Sequence, residues 1–379
     1  MRRASRIDAV EPFLAMEVLE RALELEAGGA RVVHLEIGEP DFAPPRDAVA
    51  ACVRALEAGE TRYTDSRGLR ELRVAISEDH ERRHGVAVDP DRILVTNGTS
   101  AAMLLVFSLL VEPGDEVIIP TPHYPCYPNF VRVCGGIPVF VPSVAEEGFR
   151  IDVPGVRRAL GTRTAAIVIG SPSNPTGAVQ DAATVGALAD LGVPLVSDEI
   201  YDGLVYDGAV VSSALGLGGD VFVLDGFSKR YAMTGFRLGY VIAPAPAARP
   251  LQVLQQNLFI SANRFVQHAG IAALRTGAAT VAAMREAYAK RRERLVEGLR
   301  RLGFGVPRLP QGAFYAFADA RAFDVDSRRL AFDLLERAHV AVTPGIDFGA
   351  AGEGHLRFCY AAAEADLDAA IERLARVLA

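Results

Sequence analysis

Lys229 and Arg237 stand eight residues apart in GFSKRYAMTGFRLGY (Gly226 to Tyr240), just past the apolar run Val221–Leu224. Cations are rarely buried without a partner. Either both reach solvent, or an anionic and reactive group lies between them. Four more segments put polar side chains in the equivalent place, directly after an apolar run. They are Asn97-Gly98-Thr99-Ser100 after RILVT, Thr121 to Tyr127 after DEVIIP, Ser171 to Gly177 after TAAIVIG, and Asp198-Glu199-Ile200-Tyr201 after VPLVS. In open α/β sheets ligands bind beyond the carboxyl ends of the strands. One rim therefore carries a glycine-bearing helix start, an aromatic, an amide, a carboxylate with a tyrosine, and a lysine.

This set suits a phosphorylated pyridine aldehyde. A helix start with Gly98, Thr99 and Ser100 offers free N–H groups and hydroxyls to a phosphate, and Arg237 adds a fork of charged donors. Asp198 can keep a ring nitrogen protonated, which makes the ring an electron sink. Asn174 and Tyr201 can hydrogen-bond a ring hydroxyl, and Tyr124 can stack on the ring. Lys229 can form a Schiff base if its surroundings lower its pKa. Each residue also has a plainer reading. Asp198 could be a helix N-cap, NPTG is an ordinary turn sequence, and tyrosines pack at cores and interfaces without catalytic duty.

The elements that must position these groups follow from periodicity. Short β-branched runs at 92–96, 115–120, 137–142, 164–170, 193–199, 221–225 and 237–243 alternate with helix-compatible stretches such as Ser100–Leu110 and Asp181–Leu191. Most of the runs lack polar alternation, which predicts a mainly parallel, seven-stranded sheet flanked by helices on both faces. Residues 40–280 read as this large α/β domain. Residues 1–39 and 281–379 read as a smaller α+β domain, with helices over Val281–Leu302, Ser327–Ala338 and Glu364–Leu378 and strands at Ala313–Phe317, Val340–Thr343 and His355–Tyr360.

Composition narrows the partners. Forty Lys and Arg against 47 Asp and Glu give a net charge of −7 without blocks of like charge, so neither nucleic acid nor an anionic membrane is the expected partner. The longest apolar run, Ala101–Val111, is too short to span a bilayer, and the basic N-terminus lacks the apolar core of a signal peptide. The expected location is the cytoplasm. Cys52, Cys126, Cys134 and Cys359 have no metal-ligand spacing. His80 and His84, in EDHERRH, read as a solvated helix face, and no metal site is expected.

The segment around Lys229 resembles the signature of the class I/II aminotransferases, pyridoxal-5′-phosphate (PLP) enzymes of fold type I. Ser228 precedes the lysine, Ala232-Met233 follow it, and Gly235-Phe236-Arg237-Leu238-Gly239 complete the pattern. GEPDF (Gly38–Phe42), SPSNPTG, DEIY and HLRFCY (His355–Tyr360) occur in the family's order. The resemblance implies that Lys229 is the Schiff-base lysine and proton shuttle. It implies that Asp198 pairs with the pyridinium and that Asn174 and Tyr201 contact the ring hydroxyl, with Tyr124 at the stacking position. Gly98, Thr99, Ser100, Ser228 and Arg237 would hold the phosphate. Arg357, helped by Asn174 and the backbone of Gly38, would clamp the substrate carboxylate. Tyr63 would reach the phosphate of a neighbouring subunit, implying a homodimer with shared active sites.

The expected reaction is amino transfer between an L-amino acid and a 2-oxo acid such as 2-oxoglutarate, with a PLP-dependent carbon–sulfur lyase or an aspartate aminotransferase as alternatives. In several aspartate-type relatives a lysine, or an arginine from the partner subunit, meets the substrate's distal carboxylate. Here Ser100 and Asn257 stand at those places, which favours neutral or aromatic substrates, although Arg264 remains a possible source of charge.

Overall fold

The computed structural model describes residues 3–378. After β1 (Val33–His34) come β2 (Ile93–Thr96), β3 (Glu116–Thr121), β4 (Ile137–Pro142), β5 (Thr164–Gly170), β6 (Leu195–Asp198), β7 (Val221–Gly226) and β8 (Gly239–Ile242). These last seven form one sheet in the order β2-β8-β7-β6-β5-β3-β4, in which only β8 runs against the rest. Alternate residues of each run enter different cores. Ile93, Ile167, Leu195 and Val223 pack on one face, while Leu94, Val168, Val196 and Leu224 pack on the other. Burial on both faces is why the runs show no polar alternation. The edge strand β4 is the exception, leaving Ile137 and Phe140 exposed.

The helices that matter for the rim are α1 (Leu14–Ala27), α2 (Arg46–Glu57), α3 (Arg70–His84), α4 (Thr99–Leu110) and α5 (Cys126–Val133). Helix α4 buries Met103, Leu105, Val106 and Phe107, each worth about 1.5–3 kcal/mol as a fully buried side chain. That packing fixes where its N-terminus sits.

The remaining strands are β9 (Tyr315–Asp319), β10 (Val340–Ala341), β11 (Thr343–Pro344) and β12 (His355–Cys359). Strand β1 pairs parallel with β10, and β11-β12-β9 form an antiparallel sheet. The expected single strand over Val340–Thr343 is thus two strands in two sheets, separated at Val342. A short apolar run carries no signal for a change of partner. The strand expected from Ala313 begins at Tyr315, because Ala313 has φ +57°, outside the β region.

The EDHERRH segment is not a solvated face. Asp79 and His80 are buried, and the Arg83 and His84 side chains are nearly so. Arg83 pairs with Asp79, Asp202 and Asp225, and Arg230 pairs with the same Asp79, so the charges are satisfied across the fold rather than by water. Charge density alone could not reveal this, because Asp202, Asp225 and Arg230 lie more than a hundred residues from the partners they meet here. All four cysteines are free thiols. Among the described residues no helix is long and apolar enough to cross a membrane.

Candidate active site

Strands β2, β3, β5, β6 and β7 run the same way, so the segments after them converge on one edge of the sheet. Strand β8 runs in reverse, so its start lies on that same edge, with Gly239 opposite both Thr96 and Gly226. This reversal explains the paired cations. Lys229 follows a strand that ends at the rim, and Arg237 precedes one that begins there. Gly239 allows the approach, since a Cβ at this position would meet the Gly98–Thr99 backbone within 3 Å.

A cavity of ≈ 250 Å³ opens at this edge. It is lined by Gly38, Thr99, Ser100, Tyr124, Asn174, Asp198, Tyr201, Ser228, Lys229, Arg237 and Arg357, eleven of the thirteen residues singled out from the sequence. Gly98 lies behind the lining as the N-cap of α4, at φ +84°. The thirteenth, Tyr63, lies outside the cavity of its own chain and is 77% exposed.

At one end of the cavity the N-terminus of α4 has no side-chain cap, which leaves its first N–H groups free. Arg237 extends beside it, bonded through Nη1 to the Thr234 carbonyl at 3.1 Å, and among the described residues no carboxylate pairs with it. An uncapped helix start beside an unpaired guanidinium is an anion site. Asp198 is buried elsewhere along the wall. Its Oδ2 accepts from the Tyr127 hydroxyl at 2.8 Å and its Oδ1 from the Ile200 N–H at 3.2 Å. Burial pushes this carboxyl up to about 6, while those two donors hold it down. The Tyr201 and Tyr315 hydroxyls are hydrogen-bonded at 2.8 Å.

Lys229 donates from Nζ to the Gly38 carbonyl at 2.6 Å. Burial lowers its amine to about 8, against the pull of Cys359 and Glu39 in the other direction. A lysine so shifted has a neutral, nucleophilic fraction of about a tenth at pH 7, far above that of an unshifted lysine. Gly38 has to be glycine, since any Cβ there would overlap the Tyr315 hydroxyl.

Arg357 is 1% exposed and sits between the Tyr315 and Phe348 rings, its guanidinium carbon 4.4 and 5.1 Å from their centroids. Nη1 donates to Asn174 Oδ1 at 2.9 Å, and Nη2 donates to Thr343 Oγ1 at 3.0 Å and to the Glu36 carbonyl. Every acceptor is neutral, and among the described residues no carboxylate pairs with it. A buried, uncompensated guanidinium at a cavity wall fits an incoming carboxylate. The set therefore fits a phosphorylated pyridine aldehyde and a substrate carboxylate together.

Several contributors were not singled out from the sequence. Tyr127 holds Asp198, and Tyr315 and Thr343 hold Tyr201 and Arg357. Tyr315 was within reach of a register argument. Arg357 pairs with Phe317 across β12 and β9, so Tyr315, two residues away, shares its face. The start of α1 completes the wall with Phe13, Ala15 and Met16. Asp347 anchors that helix start, its two oxygens accepting from the N–H groups of Leu14 at 2.9 Å and Ala15 at 3.3 Å.

A sequence model of the family "Aminotransferase class I and II" matches residues 30–374. The chain is 41% identical over 380 residues to an aspartate/prephenate aminotransferase of Thermus thermophilus, covering 98% of each. It superposes at a TM-score of 0.95 and 40% identity on an aspartate aminotransferase from Thermus thermophilus solved with maleate, over 100% of both chains. A Methanococcus jannaschii protein described as similar in its active site to kynurenine aminotransferases matches at a TM-score of 0.92 and 38% identity, again over 100% of both. With this likeness running the length of the chain, the protein belongs to the class I and II aminotransferases and is a PLP-dependent transaminase.

Proposed function

We propose that the protein transfers the amino group of a neutral or aromatic L-amino acid to a 2-oxo acid such as 2-oxoglutarate. The observation that carries the substrate class is the inventory of charge in the cavity. Its cationic lining residues among those described are Lys229, Arg237 and Arg357, and each has another task. The remaining wall toward α1 is Phe13, Ala15, Met16 and Ile37, which offers nothing to a distal carboxylate. Arg264 is engaged by Glu60 and does not line the cavity. The likeness to a protein compared with kynurenine aminotransferases supports an aromatic donor.

In this reading PLP, when bound, supplies the electron sink that acidifies the substrate α-carbon. The α4 N-terminus with Gly98, Thr99 and Ser100, together with Ser228 and Arg237, would hold its phosphate. Asp198 would pair with its ring nitrogen, Asn174 and Tyr201 would bond its ring hydroxyl, and Tyr124 would stack on its ring. Lys229 would be the amine that holds its aldehyde, and its Nζ would serve as general base and acid at the substrate α-carbon. Arg357 fixes the α-carboxylate with both nitrogens, and Asn174 and Gly38 support it, so that the α-C–H bond faces Lys229.

Tyr63 serves a neighbouring copy in this scheme, which makes the working form a homodimer, and its exposure supports that assignment. The protein acts in the cytoplasm on small molecules. The pairing of β1 with β10 supports a division into residues 40–280 and a small domain of 1–39 with 281–379.

The test compares phenylalanine, methionine, alanine and aspartate as donors to 2-oxoglutarate. Phenylalanine or methionine should lead, and a large aspartate preference would overturn the substrate class in favour of the aspartate aminotransferase that the Thermus relatives suggest. Pyruvate and sulfide released from cysteine without added oxo acid would instead favour the lyase. Lys229→Ala should abolish the visible absorption of the lysine-bound cofactor.

A further inference from the structure

Behind the cavity, α3 carries His80 and His84 one helical turn apart on one face. They point toward Glu199, the residue directly after β6 and next to Asp198. His80 is fully buried, and neither of its ring nitrogens has a hydrogen-bond partner. Leaving a buried polar group unsatisfied costs roughly 1–3 kcal/mol. The two rings lie 5.0 Å apart by centroid. One donor atom from each of His80, His84 and Glu199 falls within 4.8 Å of the other two.

We propose that His80, His84 and Glu199 form a divalent transition-metal site, for which zinc is the favoured ion, that ties α3 to the turn carrying Asp198 and Tyr201.

The donor set selects the class of ion. Two imidazoles and one carboxylate suit zinc and its neighbours, whereas calcium and magnesium prefer all-oxygen shells. Histidines at i and i+4 on a helix are a chelating pair. Both ring nitrogens of His80 are without a partner, while His84 is engaged through Nε2, which leaves Nδ1 as its second donor position. Glu199 is fixed in place, its Oε1 accepting from Ser197 Oγ at 3.0 Å and from the Ala214 N–H at 2.9 Å.

Charge favours a cation here. Among the described residues, the interior acids Asp79, Glu199, Asp202 and Asp225 are faced by two interior guanidinium groups, Arg83 and Arg230. Arg82 reaches Asp79 from the solvent side. With Glu199 ionised, the four acids exceed these three guanidinium groups by one negative charge, so the cluster can accept a cation. Bonds of about 2.1 Å in a tetrahedron place ligands roughly 3.4 Å apart, so the three groups draw together slightly on binding. His84 is the last residue of α3. Its Nε2 lies 2.9 Å from Asp202 Oδ2, a carboxylate able to orient the ring.

The test uses the PLP-loaded protein, stripped with a chelator and dialysed against zinc chloride, with bound metal counted by mass spectrometry. One zinc per chain and a zinc-dependent rise in Tm are expected. Cobalt in place of zinc should give the visible d–d bands of a nitrogen–oxygen site. Affinity should fall at least about tenfold in His84→Asn and in His80→Phe. His84→Asn keeps a polar side chain at the last residue of α3, so it keeps the test valid if the His80 substitution fails to fold. Less than one zinc per ten chains, or uptake undiminished in folded His84→Asn, would overturn the site. Neither result depends on which amino acid the enzyme transaminates.

Discussion

Tyr127→Phe isolates the one side-chain donor to Asp198. The wild-type bond is 2.8 Å long and runs from a neutral hydroxyl to a buried carboxylate. Hydrogen bonds to charged groups contribute about 1.5–3 kcal/mol, and the substitution removes no ring atoms. At about 1.36 kcal/mol per pH unit, Asp198 should climb from about 6 by roughly one to two units. The sign follows from linkage. In the cofactor-free protein the Asp198 pKa is already above its unfolded value, so its neutral form contributes stability below pH 4 that is lost as pH rises through about 6. The variant must ionise the same carboxyl without its donor. Its Tm should therefore match wild type near pH 5 and fall progressively below it toward pH 8. PLP affinity, read by titrating the cofactor-free protein at pH 7.5, should weaken roughly tenfold to hundredfold. A Tm gap that is constant across pH, together with PLP affinity within twofold of wild type, would refute the idea that Tyr127 keeps Asp198 ionisable.

Lys229 is held at about 8 by burial, so the rate of PLP capture by the cofactor-free protein should rise about tenfold per pH unit below pH 8 and flatten above it. A rise continuing past pH 10 would show an unperturbed amine. Arg357→Lys keeps the charge but loses the fork between Asn174 and Thr343, so kcat/KM should drop roughly tenfold to a hundredfold while the visible cofactor absorption persists. Gly38→Ala drives a methyl into the Tyr315 hydroxyl. It should cost about 1–3 kcal/mol by thermal denaturation, with activity falling as the Lys229–Gly38 contact is displaced.

The large sheet was legible because its strands other than the edge strand β4 are buried on both faces, so local hydrophobicity and tertiary burial coincide at Ile93–Val95 or Val221–Leu224. The rim was legible for a related reason. Parallel strands put their following residues on one edge, so Ser171, Asp198 and Ser228 could be grouped before any contact was known. Supporting residues were harder to read. Tyr127 lies 71 positions from Asp198, and Thr343 reaches Arg357 only because β11 leaves the neighbouring strand and joins β12. In EDHERRH the local pattern pointed the wrong way, since charge reads as solvation unless the distant Arg230, Asp202 and Asp225 are known.

By itself the sequence determined the layered α/β architecture, the identity of the groups at the strand ends and the chemistry they suit, because these depend on local pattern and on the polarity of parallel strands. Only the tertiary structure decided how those groups are tuned. The lowered amine of Lys229, the raised carboxyl of Asp198 and the uncompensated charge of Arg357 all come from desolvation and from partners far away in the chain. Burial of that kind is a property of the whole fold, and no short stretch of residues encodes it.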